Sequence, residues 1–173
     1  MRAILPALDD SFRNQRRSGV AENGQRATEA FREEHRRLLT HVDQIRAAGG
    51  EVTDLAPEER KALIGRILEF LRTTLVPHAE WEEQVLYAAV GKVLGSTAAT
   101  ATMSRDHVAI RRMIDALAEA DPSDVARLQE LLYGLHALIV IHFEKEEEIY
   151  LPLLDERPEV GEWVARQLGE TTA

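Results

Sequence analysis

The chain has 173 residues, 45% of them hydrophobic and 5% aromatic, with a formal net charge of −9 and no cysteine. This length suits one domain with a real core, and the absence of cysteine excludes disulfides, thiolate zinc sites, iron–sulfur clusters and cysteine nucleophiles. The acidic balance argues against a nucleic-acid partner, and no stretch reads as a signal peptide or as long enough to span a bilayer, so a cytoplasmic protein without a membrane partner is expected.

Residues 1–26 carry five arginines against three acids, a net +2, which leaves −11 on the remaining 147 residues. They read as an arm with one short helix over 9–17 and a flexible link through Gly19, Asn23 and Gly24. The domain then occupies 27–173. Its first helix is expected over 28–48, stopped by Gly49–Gly50. A second opens after Thr53 or Asp54, has Pro57 in its first turn with Glu58 and Glu59 behind it, and runs to about Val90, kinked at Pro77. A third spans about 96–121. A fourth starts with Ser123 as its cap and runs to about Tyr150, where Pro152 disturbs it. A short fifth helix over 159–168 is expected to pack across one end. Apolar residues recur at helical spacing: Leu38, Val42 and Ile45; Leu63, Ile67 and Leu71; Ile110, Ile114 and Leu117; Leu128, Leu131, Leu132 and Leu135. No run alternates with the period of a strand. Four long helices with short connections imply an all-α, up-down-up-down four-helix bundle.

The chain also repeats itself. Residues 71–86 align on 135–150, matching His78 to His142, Glu82 to Glu146 and Glu83 to Glu147. Residues 34–45 align on 106–117, matching His35 to His107 and Leu38 to Ile110. A His and a Glu four apart lie on one helix face, so each His-x-x-x-Glu copy can serve one site. His35 and His107 fall on apolar stripes, where a polar ring costs free energy unless something satisfies it. Four imidazoles and two carboxylates form a donor set for two metal ions: His35, His78, Glu82, His107, His142 and Glu146. Imidazole and carboxylate without thiolate suit Fe, Mn or Zn. Glu147, five residues after His142, is an alternative to Glu146, and Glu34 and Asp106 are candidates to orient the rings. His41 and His136 rotate off the ligand faces and are expected at the periphery. Tyr87 and Tyr150 lie one turn beyond the two carboxylates, where core packing with a wet hydroxyl is the simpler role for each and lining the pocket, with a hydrogen bond to a bound oxygen species, is the other.

The ordered set His35, His78-x-x-x-Glu82, His107 and His142-x-x-x-Glu146 resembles the hemerythrin-like, or HHE cation-binding, family over about residues 28–155. The resemblance implies a four-helix bundle around a non-haem di-iron centre with an oxo or hydroxo bridge. The four histidines would be terminal ligands and Glu82 and Glu146 would bridge. Oxygen-carrying members have His-x-x-x-His on the third helix, where this chain has Arg111, and His-x-x-x-x-Asp on the last. The four-His, two-Glu pattern looks like the branch associated with peroxide breakdown, NO handling or sensing. The expectation is a protein whose iron meets a small diatomic or peroxide ligand. Either it turns that ligand over, as a catalase-like or NO-reactive oxidoreductase, or it senses or carries O2, NO or iron without turnover.

Overall fold

The computed structural model describes residues 28–157 together with Val160, Trp163, Val164 and Gln167. The arm expected over 1–26 and most of the terminal helix expected over 159–168 lie outside the described residues. Four rods make up the rest. The first is α1, Glu29–Glu51. The second is α2, Pro57–Phe70, a π-helical turn Leu71–Leu75, α3, Val76–Gln84, and α4, Leu86–Leu94. The third is a 3-10 turn, Thr97–Thr100, leading into α5, Ala101–Glu119. The fourth is α6, Val125–Lys145, a second π-helical turn Glu146–Tyr150, and α7, Leu151–Asp155. The described residues contain no strand, and no helix among them is long and apolar enough to cross a membrane.

Contacts at the two ends fix the alternation of direction. At one end Arg60 donates to the carbonyls of Val52, at 2.7 Å, and Pro122, at 3.1 Å, and Gln129 donates to Gly49 O at 2.8 Å. At the other, Thr28 donates to Asp155 and the Tyr150 hydroxyl donates to Ala99 O at 3.2 Å. The chain therefore runs up, down, up, down, as the short connections imply.

Several helix ends differ from the sequence reading. The α1 helix continues through Gly49 and Gly50 to Glu51. Gly49 is there for a close approach: a Cβ at that position would sit 2.7 Å from the Tyr133 ring. The second rod passes Val90 and stops at Gly95, which takes the left-handed conformation, φ 68°, that glycine adopts without steric cost. Asp124, not Ser123, caps α6, accepting from the Arg127 N–H at 3.0 Å. In α2 the Glu59 carboxylate accepts from the Ala56 N–H at 2.9 Å.

The kink expected at Pro77 takes the form of a π-helical turn ahead of it. Both π turns end two residues before a proline, Leu75 before Pro77 and Tyr150 before Pro152. Proline has no N–H to give to the helical ladder, and an i→i+5 turn shifts the ladder around that gap.

The predicted apolar stripes are all buried, in one cluster that runs from Leu38 and Val42 through Ile67, Ile110 and Leu132 to Ile139 and Phe143. A second cluster gathers Phe31, Leu86, Tyr87, Met103, Leu151 and Leu154. Each fully buried aliphatic side chain contributes roughly 1.5–3 kcal/mol, so apolar packing clamps the rods on both sides of the gap between the clusters. Every rod crosses that gap at a polar residue. His35 lies between Phe31 and Leu38, His78 between Leu75 and Val85, His107 between Met103 and Ile110, and Glu146 between Ile139 and Leu151.

Candidate metal centre

The six side chains singled out by the repeat meet in this gap. His35, His78, Glu82, His107, His142 and Glu146 are each no more than 2% exposed. Their donor atoms form two triads, His35–His78–Glu82 and Glu82–His107–His142, with all atoms of each triad within 4.8 Å of one another. Glu82 belongs to both. Its Oε1 is 2.7 Å from His78 Nε2 and 3.1 Å from His35 Nε2, while its Oε2 is 3.3 Å from His107 Nε2. Glu146 also spans the gap, with Oε2 3.5 Å from His35 Nε2 and Oε1 3.6 Å from His142 Nε2.

These groups satisfy one another only in part. Of the five buried side-chain polar atoms without a hydrogen bond among the described residues, four belong here: both ring nitrogens of His78, Glu82 Oε2 and Glu146 Oε2. His78 Nε2 and Glu82 Oε1 are close but not aligned as donor and acceptor. That is how two atoms stand when both aim at a third point. A buried, unpaired carboxylate is expensive, and a cation at each triad would satisfy all of them. The donor set, nitrogen and oxygen without sulfur, fits such an ion.

Each outer nitrogen faces a further carboxylate. His35 Nδ1 is hydrogen-bonded to Glu147 at 2.8 Å, His107 Nδ1 to Glu83 at 2.9 Å and His142 Nδ1 to Asp106 at 3.3 Å, while His78 Nδ1 stands 3.5 Å from Glu34 as a charge partner without a hydrogen bond. A carboxylate at Nδ1 fixes the ring and turns the Nε2 lone pair inward. Glu146, fully buried, faces the centre, whereas Glu147, one-third exposed, lies behind His35. In sequence Glu83 looks like part of a solvated acidic face, and its alignment with Glu147 is the one signal that points to it.

Charge settles unevenly in this cluster. Burial opposes ionisation of Glu82, but the His78 charge and the other imidazoles around it hold its carboxyl well below the usual range. Burial and the neighbouring Glu82 charge push Glu146 well above that range. His78 loses solvation on burial, yet Glu82 and Glu34 raise it to about 10. Outside, Asp106 is held low against its burial by Lys145 and His142, and Glu147 by His35 and Arg32.

Tyr87 belongs to the centre as well as to the core. Its hydroxyl donates to Glu146 Oε1 at 2.7 Å, and burial followed by the Glu146 charge drives its acidity far down. Tyr150 reaches only Ala99. Phe143 stacks on His35, ring centroids 4.4 Å apart. His41 stacks on Phe70 and His136 pairs with Asp43, both away from the centre.

A cavity of about 10 Å³ opens between α3, α5 and α6, close to what one water-sized molecule needs. Leu75, Val76, Ala79, Ile110, Ile139 and Phe143 form its walls, His78, Glu82, His107 and His142 reach it, and Arg111 adjoins it. The Arg111 guanidinium extends toward Glu83 and Glu80, at 4.0 and 3.9 Å.

No curated protein and no solved structure matched the chain. The family model described as the hemerythrin HHE cation binding domain matches residues 26–154, which takes in the four rods up to Leu154 and every residue of the cluster, and the chain belongs to that family of metal-binding bundles.

Proposed function

We propose that this chain is a non-haem di-iron protein that reacts with hydrogen peroxide, NO or O2, in a catalase-like or NO-handling manner. His35 and His78 hold one ion, His107 and His142 the other, and Glu82 and Glu146 span both. The observation that carries this reading is the set of inward-facing, unpaired donor atoms, His78 Nε2, Glu82 Oε2 and Glu146 Oε2, beside a cavity of about the size of one water molecule. Iron supplies a Lewis acid and a one-electron redox partner. The protein's own residues do the rest. Glu147, Glu83, Asp106 and Glu34 hold the imidazoles at fixed angles, and the aliphatic cavity walls keep bulk water and larger molecules out. Iron content of two per chain, with oxygen evolved from peroxide and lost in Glu82→Ala, is the expected result. A fully loaded protein that neither evolves oxygen nor consumes NO would overturn the reactive reading.

One contact favours the alternative, a sensor or carrier without turnover. Arg32 pairs with Asp155 at 2.7 Å and with Glu147 at 3.5 Å, and Glu147 holds His35. A change at the centre is thereby tied to the start of α1, next to residues 1–26. Metal-dependent protease cleavage of those residues supports this alternative; identical digestion of the loaded and metal-free forms counts against it.

A further inference from the structure

Resting on the dinuclear reading above, we infer that Tyr87 is itself a metal ligand, a fifth side-chain donor to the ion held by His107 and His142. The two metal positions are then chemically unequal despite the repeat that builds them.

The geometry is that of a ligand set. The Tyr87 oxygen is 2.7 Å from Glu146 Oε1, 3.3 Å from His142 Nε2 and 3.4 Å from His107 Nε2. The two imidazole nitrogens are 2.9 Å apart. Neighbouring donors on a six-coordinate ion with bonds of about 2.1 Å stand about 3 Å from one another, and these four contacts bracket that distance. Glu83 and Asp106 hold the outer nitrogens of His107 and His142, at 2.9 and 3.3 Å, and so aim both inner nitrogens at the point the phenol oxygen shares. The phenol gives its single proton to Glu146, and its oxygen, the two inner nitrogens and Glu146 Oε1 crowd one point. A cation there takes all four as ligands: the phenol proton leaves to solvent with metal uptake, and the oxygen lone pair it frees binds the ion.

The other position lacks this group. In the repeat that aligns His78 with His142, Tyr87 falls opposite Leu151, which is apolar and fully buried. The His35–His78 ion is left with four side-chain donors against five. The ion with fewer side-chain donors is the one left with more room for an exogenous molecule, while the cavity wall carries His78 together with His107 and His142.

The test is optical and needs no turnover. Ferric protein carrying two irons per chain should show a visible phenolate-to-iron charge-transfer band. Its resonance Raman spectrum should contain tyrosine ring modes that shift when the tyrosine is ring-deuterated. Tyr87→Phe should lose band and modes while keeping its iron, and Tyr150→Phe should keep them. Two irons per chain without those modes in the wild type, or modes that persist in Tyr87→Phe, overturn the assignment and leave the di-iron reading intact. Failure to bind two irons overturns both. The wild-type measurement decides the question even if Tyr87→Phe does not fold.

Discussion

His35 and Glu147 come from opposite halves of the duplicated chain, yet the ring Nδ1 of one lies 2.8 Å from the carboxylate of the other. Their repeat counterparts, His107 and Glu83, make the same contact at 2.9 Å in the reverse sense. The remaining two pairs, His78–Glu34 and His142–Asp106, stay within one half each. Each half thus orients one of its own rings and one of its neighbour's, so neither half can assemble a complete, oriented donor set alone.

The crossed pairs should matter more to the metal than to the fold. Glu147 and Glu83 are about one-third exposed, and removing a charge there leaves no carboxylate stranded in the core. Glu147→Gln and Glu83→Gln should each weaken metal binding about 10–100-fold, read by competition with a chelator. Their unfolding midpoints without metal should stay near that of the parent chain. Unchanged affinity in both variants would remove these carboxylates from the account of the centre.

Metal uptake should release protons. Without metal, Glu82 and Glu34 raise His78 to about 10 despite its burial, so the ring is protonated at neutral pH. Burial and the Glu82 charge push Glu146 toward its protonated form. These two groups and the Tyr87 phenol shed protons to ligate, so about three protons per chain should appear at pH 7. Calorimetry in buffers of different ionisation enthalpy counts them. The same shifts set the pH dependence of the metal-free fold. His78, raised, contributes stability that is full below its ordinary 6.5 and lost as pH climbs toward about 10. Glu146, also raised, adds a penalty in the same alkaline direction. Glu82, held low, contributes above the ordinary carboxylate range and loses that contribution only on strong acidification. Chelated protein should therefore melt lower at pH 9 than at pH 7. A flat profile over that window would contradict the assigned protonation states.

The bundle was legible because helical periodicity and the proline, glycine and acidic punctuation all report on local backbone. Leu63, Ile67 and Leu71 had no other way to be buried. The six central residues were legible because duplication placed each of them twice in the same context. What sequence did not convey is which neighbour a residue meets across the bundle. Glu83 and Glu147 look like any acidic helix face until the opposite rod brings a histidine to each. Tyr87 has no counterpart in the repeat, so only its place one turn beyond Glu82 set it apart from a core aromatic. Gly49 resembled a helix stop because the Tyr133 ring that demands it sits on a rod 84 positions away.

The cavity walls should govern how fast a small ligand reaches the centre. Ile139 is fully buried and faces the cavity beside His142. Ile139→Ala removes three carbons there and should cost about 2–5 kcal/mol of stability. It should also speed azide association with the ferric protein without lowering iron content. Stopped-flow absorbance measures the rate. An unchanged rate in a loaded, folded variant would mean that ligands enter by another route.

Glycines separate local backbone effects from the centre. Gly65 lies mid-helix in α2 with nothing within 4 Å of where a Cβ would stand. Gly65→Ala should stabilise the chain by about 0.5–1 kcal/mol, because alanine loses less backbone freedom than glycine on entering a helix. Gly95, at φ 68°, has equally open space but the opposite expectation. A Cβ in the left-handed region costs about 1–2 kcal/mol, and the turn between α4 and the third rod depends on that conformation. Urea unfolding of the two variants should move the midpoint in opposite directions at unchanged slope. Since neither residue touches the His–Glu cluster, both variants should bind metal like the parent. If Gly95→Ala were as stable as Gly65→Ala, the left-handed stop after Leu94 would not be the conformation the chain adopts.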